Sequence, residues 1–258
     1  MNRMRLLLLA CGLMAGAPAA AGTIAEPIEV AAPPSATTFQ VRRLLVGGDS
    51  MACAVWLPPG YERSRAWPAI LFLNGSGECG TDGLRQTSQG IGPALLAHPE
   101  RWPFVVVLPQ KPREDEEWEE REDLVFAALE AARRDWNLDP ERIALTGISQ
   151  GGHGAWVIGA RHPERWSCLV PVCGYGRART VASRAWRLPV WAFHGLKDDV
   201  VDPRDTQNIV AELARRKQEA GLPEPRLTLY PDLDHGCWAT VFGEPALPEW
   251  ILAQRRHR

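Results

Sequence analysis

Hydrophobic and polar positions fall into a small number of patterns along the chain, and each predicts a kind of element. Two β-rich runs over 40–46 and 51–57 flank Gly47-Gly48-Asp49-Ser50, which predicts an antiparallel hairpin. From residue 60 onward the apolar runs are short and unbroken, at 69–73, 104–108, 143–145, 169–172 and 190–193. Runs of this kind suit parallel strands buried on both faces. Between and after them, apolar residues recur at helical spacing over 120–136, 150–161, 204–220 and 248–255. Strand and helix alternating in this way predict a mostly parallel α/β sheet, with the hairpin at its start and helices on both faces. No internal repeat is visible, and no connection is long enough to form a separate lid, so an open active site is expected.

The start of the chain carries a different signal. Met1-Asn2-Arg3-Met4-Arg5 is short and basic, an apolar run follows over 6–17, and Ala19-Ala20-Ala21 fits a signal-peptidase site. A run of that length is too short to span a bilayer. We therefore expect residues 1–21 to be a signal peptide, 22–38 a linker rich in Ala, Pro, Thr and Ser, and 39–258 the catalytic domain of an exported protein, periplasmic or secreted. The alternative for the leader is a lipidated Cys11 after Leu8-Leu9-Ala10. Cleavage leaves Cys53, Cys79, Cys168, Cys173 and Cys237, an odd set without zinc-site spacing, so neither metal nor other cofactor is expected. A formal net charge of -2 with scattered Lys and Arg argues against nucleic acid as a partner.

The chemistry is concentrated at the strand ends. Arg142-Ile143-Ala144-Leu145-Thr146 runs into Gly147-Ile148-Ser149-Gln150-Gly151 and then a helical pattern, which is GxSxG on a strand-to-helix elbow. The turn needs small residues because strand and helix backbones nearly touch, and Gly147 and Gly151 supply them. Ser149 is thereby the candidate nucleophile. Its hydroxyl needs an imidazole to take its proton, and on such elbows acid and histidine follow the serine in chain order. His257 sits in the charged tail Arg255-Arg256-His257-Arg258, whereas His235 follows the apolar stretch 227–230 where a last strand should end, so His235 is the candidate base. For the acid, the run at 190–193 ends in His194-Gly195-Leu196-Lys197-Asp198-Asp199, and either aspartate could orient the imidazole. Asp202-Pro203 reads as a helix cap.

Strand 69–73 ends in Asn74-Gly75-Ser76-Gly77-Glu78-Cys79-Gly80, a glycine-rich turn whose backbone amides could face a developing oxyanion. With that loop, the elbow, Leu108-Pro109-Gln110 with Trp118, His162-Pro163-Glu164-Arg165-Trp166, Pro171-Val172-Cys173-Gly174, His194-Gly195-Leu196-Lys197-Asp198 and His235-Gly236-Cys237-Trp238, the chain from about Tyr61 onward resembles the exported esterase and predicted-peptidase branch of the α/β-hydrolases, related to the phospholipase/carboxylesterase and dienelactone hydrolase families. The resemblance implies the α/β-hydrolase fold, Asp198 as the acid, and an oxyanion hole made by the amides of Ser76 and Gln150. It brings Glu78, Gln110, Trp118 and Trp238 forward as candidate substrate contacts. The family's histidine at the head of the oxyanion loop is Asn74 here, which bears on the loop's orientation and on substrate preference.

The expected function is hydrolysis of carboxylic esters, of acylated carbohydrate or another small or oligomeric ester, through an acyl-enzyme on Ser149. A secreted peptidase resembling the prolyl oligopeptidase catalytic domain is the first alternative, and a non-catalytic binding protein on the same scaffold is a further one. Acyl and alcohol specificity and oligomeric state are not legible. The acidic run Glu114-Asp115-Glu116-Glu117 with Glu119-Glu120 reads as a solvated stretch ahead of a helix. Because the oxyanion loop and the histidine loop must converge on Ser149, a Cys79 to Cys237 disulfide is a further expectation.

Overall fold

The computed structural model describes residues 39–256, so the leader and linker expected over 1–38 lie outside the described residues. β1 (Gln40–Val46) and β2 (Asp49–Trp56) pair antiparallel with Val46 opposite Asp49. The turn is therefore Gly47-Gly48 alone, with φ of +60° and +95°. Two adjacent left-handed residues match the right-handed twist of the strands, which is why two glycines suffice and Asp49 and Ser50 join β2.

Six further strands follow: β3 (Trp67–Leu73), β4 (Val105–Pro109), β5 (Leu138–Ile148), β6 (Cys168–Val172), β7 (Trp191–Gly195) and β8 (Arg226–Tyr230). They form one sheet of order β1-β2-β4-β3-β5-β6-β7-β8. β2 pairs antiparallel with β4, and every pairing from β4 to β8 is parallel. The unbroken apolar runs have a direct cause in β3. Ala69, Leu71 and Leu73 enter the core on one face, while Ile70 and Phe72 enter the core on the other. Burying each large side chain stabilises by about 1.5–3 kcal/mol, so neither face of a central strand can be polar.

The helices are α1 (Ile91–Ala97), α2 (Glu122–Trp136), α3 (Gln150–Arg161), α4 (Ala178–Ala185), α5 (Pro203–Glu219), α6 (Trp238–Gly243) and α7 (Ala246–Ala253). α2 to α5 cover one face, and α1, α6 and α7 cover the other. This is the α/β-hydrolase fold. The cap expected at Asp202 is present, its carboxylate accepting from the Arg204 amide ahead of Pro203. α1, α4 and α6 are absent from the sequence pattern; at 6 to 8 residues they span about two turns, which leaves a period little room to repeat. Among the described residues no helix is long and apolar enough to cross a membrane. The topology places the carboxyl ends of β5, β7 and β8 at one end of the sheet, each followed by a turn or loop that carries a candidate site residue.

Candidate active site

β5 passes into α3 through Ser149, whose backbone stands at φ +54°, ψ −117°. A non-glycine residue is strained there, and the surrounding packing holds it in place. A Cβ on Gly147 would lie 2.2 Å from the Gly151 carbonyl oxygen, and one on Gly151 would lie 2.0 Å from that of Leu73. No side chain fits at either position. The Ser149 amide donates to the Val172 carbonyl at 2.9 Å, and the half-buried side chain stands clear of the sheet.

The loop after β8 brings His235 Nε2 to 2.9 Å from Ser149 Oγ. Its Nδ1 lies 2.7 Å from Asp198 Oδ2, in the loop after β7. The other carboxylate oxygen of Asp198 accepts the amides of Val200 and Val201, both at 2.9 Å. Asp198 is buried, which pushes its pKa up, yet the His235 hydrogen bond and the two amides outweigh burial and hold it below the ordinary carboxylate value. Asp199 is exposed. Of the two aspartates left open by the sequence, the structure brings only Asp198 to the imidazole.

His194 supports this arrangement, and the sequence patterns left it without a role. It is fully buried at the end of β7, with Nε2 3.0 Å from Asp198 Oδ2 and 3.1 Å from the Val201 carbonyl. A nitrogen facing two acceptors carries the proton. Its Nδ1 meets the Thr206 hydroxyl at 2.8 Å. Burial lowers the His194 pKa despite the opposing pull of Asp198, so the ring is neutral and acts as a donor that aims the carboxylate. Its place immediately before Gly195 in the strand-end motif was the available signal.

The oxyanion loop is built around Asn74, which is fully buried at the end of β3. Its Nδ2 donates to the Gly75 carbonyl at 2.7 Å, and its Oδ1 accepts the Lys111 amide at 3.2 Å. Its own carbonyl accepts from Trp118 Nε1 at 2.9 Å. Asn74 thus anchors the loop through its side chain. A Cβ on Gly75 would stand 3.5 Å from Ser149 Cβ, so the loop lies directly against the nucleophile. Ser76 follows Gly75 in that loop, and Gln150 opens α3, where the amide has no carbonyl one turn earlier in the helix to bond.

The four candidate substrate contacts divide. Glu78 is half-buried, and its carboxylate comes within 3.1 Å of the same Cβ position on Gly75, which keeps it beside Ser149. Burial raises its pKa, opposed mainly by hydrogen bonds from the backbone amides of Gly75 and Glu78. Trp238 is half-buried, with its ring edge-on to His235 at 5.5 Å and its Nε1 donating to Gln89. Gln110 and Trp118, by contrast, are buried and take no part in a substrate surface. Gln110 accepts the Gly83 amide and donates to the Glu78 carbonyl and to Asp82, stapling the loop from below. Trp118 packs against Gly154 of α3 while holding Asn74. The aromatic and amide types were legible, but their direction into the core depends on the loop's tertiary path.

The acidic run also departs from expectation. Glu114 and Asp115 are exposed, but Glu117 accepts the Tyr175 hydroxyl at 2.7 Å and Glu119 lies 3.2 Å from His153 Nε2. Lys111, fully buried, donates to the carbonyls of Arg113 and Glu116 and curls the segment inward, and Gln150 Nε2 donates to the carbonyls of Glu114 and Glu116. The expected Cys79 to Cys237 contact is absent. Cys79 Sγ meets Asn74 and the Gly75 carbonyl, while Cys237 Sγ lies 3.0 Å from that of Cys173. The oxyanion loop approaches Ser149 from the β3 side, whereas the histidine loop folds over the end of β6, where Cys173 stands.

Two groups place ligand-type atoms within 4.8 Å of one another, Cys173, Asp198 and His235 in the first and Glu117, Glu119 and His153 in the second. In the first, Asp198 and His235 already engage each other. In the second, Glu117 is bonded to Tyr175 and Glu119 to His153.

Residues 113–186 match the model of the prolyl oligopeptidase family. No curated protein matches the chain. Among solved structures, a thermostable esterase shares 26% identity at a TM-score of 0.71, the match covering 84% of this chain and 63% of that one. The chain thus has the α/β-hydrolase fold and is similar to proteins of its esterase and peptidase branch. The same fold recurs in the acylaminoacyl peptidase of Pyrococcus horikoshii, with 14% identity and a TM-score of 0.61 over 86% of this chain and 42% of that one. A ferulic acid esterase gives 15% identity and a TM-score of 0.62 over 83% and 98%. The chain therefore spans less than two thirds of the thermostable esterase and under half of the archaeal peptidase, but nearly all of the ferulic acid esterase.

Proposed function

We propose that this chain cleaves carboxylic esters through a triad of Ser149, His235 and Asp198, and that it acts after export. The observation that carries the reading is the unbroken relay from Ser149 Oγ to His235 Nε2 and from His235 Nδ1 to Asp198, at 2.9 and 2.7 Å. Asp198 accepts a hydrogen bond from His235 Nδ1–H and so holds the tautomer that leaves Nε2 free to take the proton of Ser149. Ser149 Oγ attacks the ester carbonyl, and the developing oxyanion turns toward the amides of Ser76 and Gln150. The imidazolium then protonates the leaving alkoxide, and a water activated by the same nitrogen releases the acid. One lost oxyanion donor costs about 3–4 kcal/mol of barrier in enzymes of this logic.

Support for an ester comes from the 26% identical thermostable esterase and from the short connections between described elements, which leave Ser149 reachable. The match of residues 113–186 to the prolyl oligopeptidase family favours peptide hydrolysis as the second reading. Purified Ser149→Ala should keep its circular dichroism spectrum and lose turnover of p-nitrophenyl acetate by on the order of 10⁶-fold. Unchanged turnover would remove Ser149 from the mechanism. A panel of graded p-nitrophenyl esters, acetylated and feruloylated sugars and peptide anilides separates the two readings, since faster cleavage of the anilides would favour the peptidase.

A further inference from the structure

At the opposite end of the sheet from Ser149, where β7 and β8 begin and α5 ends, lies a cavity of about 440 Å³. Its lining combines Lys217, Arg187 and Arg226 with apolar surface from Val190, Pro223 and Trp250. Lys217 decides its chemistry. In the last turn of α5, it is 3% exposed, and its ammonium makes no hydrogen bond or ion pair with any described residue. Most of the side chain is buried, so its ammonium opens on the cavity without a counter-charge, and charged groups at buried side chains are normally paired. Burial pushes the Lys217 pKa down, with no opposing contribution from a neighbouring acid.

The two guanidiniums reinforce the imbalance. Arg226 stands 5.1 Å from the ring centre of Trp191 and 5.9 Å from that of Trp250, and Arg187 stands 4.2 Å from that of Trp186. Both are held over aromatic faces, and neither is bonded to a described carboxylate. Glu224, exposed, is the one acidic side chain in the lining. The cavity thus presents an unpaired ammonium on a buried side chain, two exposed guanidiniums at the rim and an apolar wall.

We propose that this cavity is a binding site for a small organic carboxylate with an apolar body, separate from the triad. The carboxylate would make charge-assisted hydrogen bonds to Lys217 and, at the rim, to Arg226, and the apolar body would lie against Trp250 and Pro223. The five residues of β7 separate Val190 in this cavity from the loop that carries Asp198, so a ligand here does not touch the reacting atoms.

Titration of the whole enzyme with sodium benzoate, followed by thermal denaturation and calorimetry, tests the site. Benzoate should raise the melting temperature, and Arg226→Gln should weaken its binding by about tenfold or more while turnover of p-nitrophenyl acetate stays within twofold. Lys217→Met should melt higher than the parent without benzoate, because an unpaired charge on a buried side chain is gone, and should no longer respond to it. Ser149→Ala should respond as the parent does. Equal responses to benzoate in the parent, Arg226→Gln and Lys217→Met would overturn the proposal, as would no response in any of them. Inorganic phosphate binding as tightly as benzoate would overturn the requirement for an apolar body.

Discussion

Cys173 Sγ lies 3.0 Å from Cys237 Sγ and 3.3 Å from the carbonyl oxygen of His235. The approach ties the loop that carries the base to the end of β6, and it is about 1 Å longer than a bonded pair of sulfurs. The hydrogen bond with Cys237, together with burial, pushes the Cys173 thiol well above its usual range, so the thiol is a poor nucleophile in the folded protein. Both sulfurs are buried in the folded protein, so an external oxidant reaches them during folding, when they are exposed. Refolding in oxidised glutathione should join them, the two thiols giving up two protons and two electrons as glutathione disulfide is reduced to two thiols. Peptide mapping without reductant should recover the 173–237 pair and a free Cys79. A 79–237 peptide, or both partners recovered free, would contradict this.

Asp198→Asn should lower turnover by on the order of 10⁴-fold, because an amide can donate to the imidazole and select the wrong tautomer. Asp199→Asn should change it by less than about threefold, since that side chain is exposed and away from His235. Steady-state kinetics on one ester decides the matter, and the reverse ranking would move the acid to Asp199.

Trp118→Phe keeps the ring against Gly154 but removes the donor to the Asn74 carbonyl. Leaving that buried oxygen unpaired costs about 1–3 kcal/mol. The variant should melt lower and lose kcat, because the oxyanion loop loosens, with KM within twofold. A raised KM at unchanged melting temperature would return Trp118 to the substrate surface.

His153→Gln should show a pH-dependent loss of stability. Burial works against charge on His153, but Glu119 and the Tyr175 carbonyl outweigh it and raise the pKa above the ordinary 6.5. A raised pKa contributes stability that is full below 6.5 and is lost as pH rises through the folded value. The melting temperature of the variant should therefore fall short of the parent at pH 6, and the gap should narrow by pH 9. A gap that is constant with pH would mean that the ion pair with Glu119 contributes nothing.

Much of this molecule follows from local rules that act within a few residues of chain. Gly147 and Gly151 announce an elbow because a Cβ at either would strike backbone, and that exclusion holds in any context. The unbroken apolar run of β3 declares a strand covered on both faces, as its side chains alternate between the two cores. Chain order leaves His235 and His257, and the place of His235 directly after the last apolar stretch, against the charged tail around His257, separates them. Other assignments depended on distances between segments remote in sequence. Asp198 and Asp199 are chemically identical neighbours, and only the approach of His235, 37 residues later, distinguishes them. Trp118 and Gln110 face the core rather than the cleft because the loop after β4 curls around buried Lys111, a path that no local periodicity encodes. Cysteine partnership was decided in the same way. Local steric and periodic constraints are written in neighbouring residues, whereas the direction of a loop side chain is set by whichever distant surface it meets.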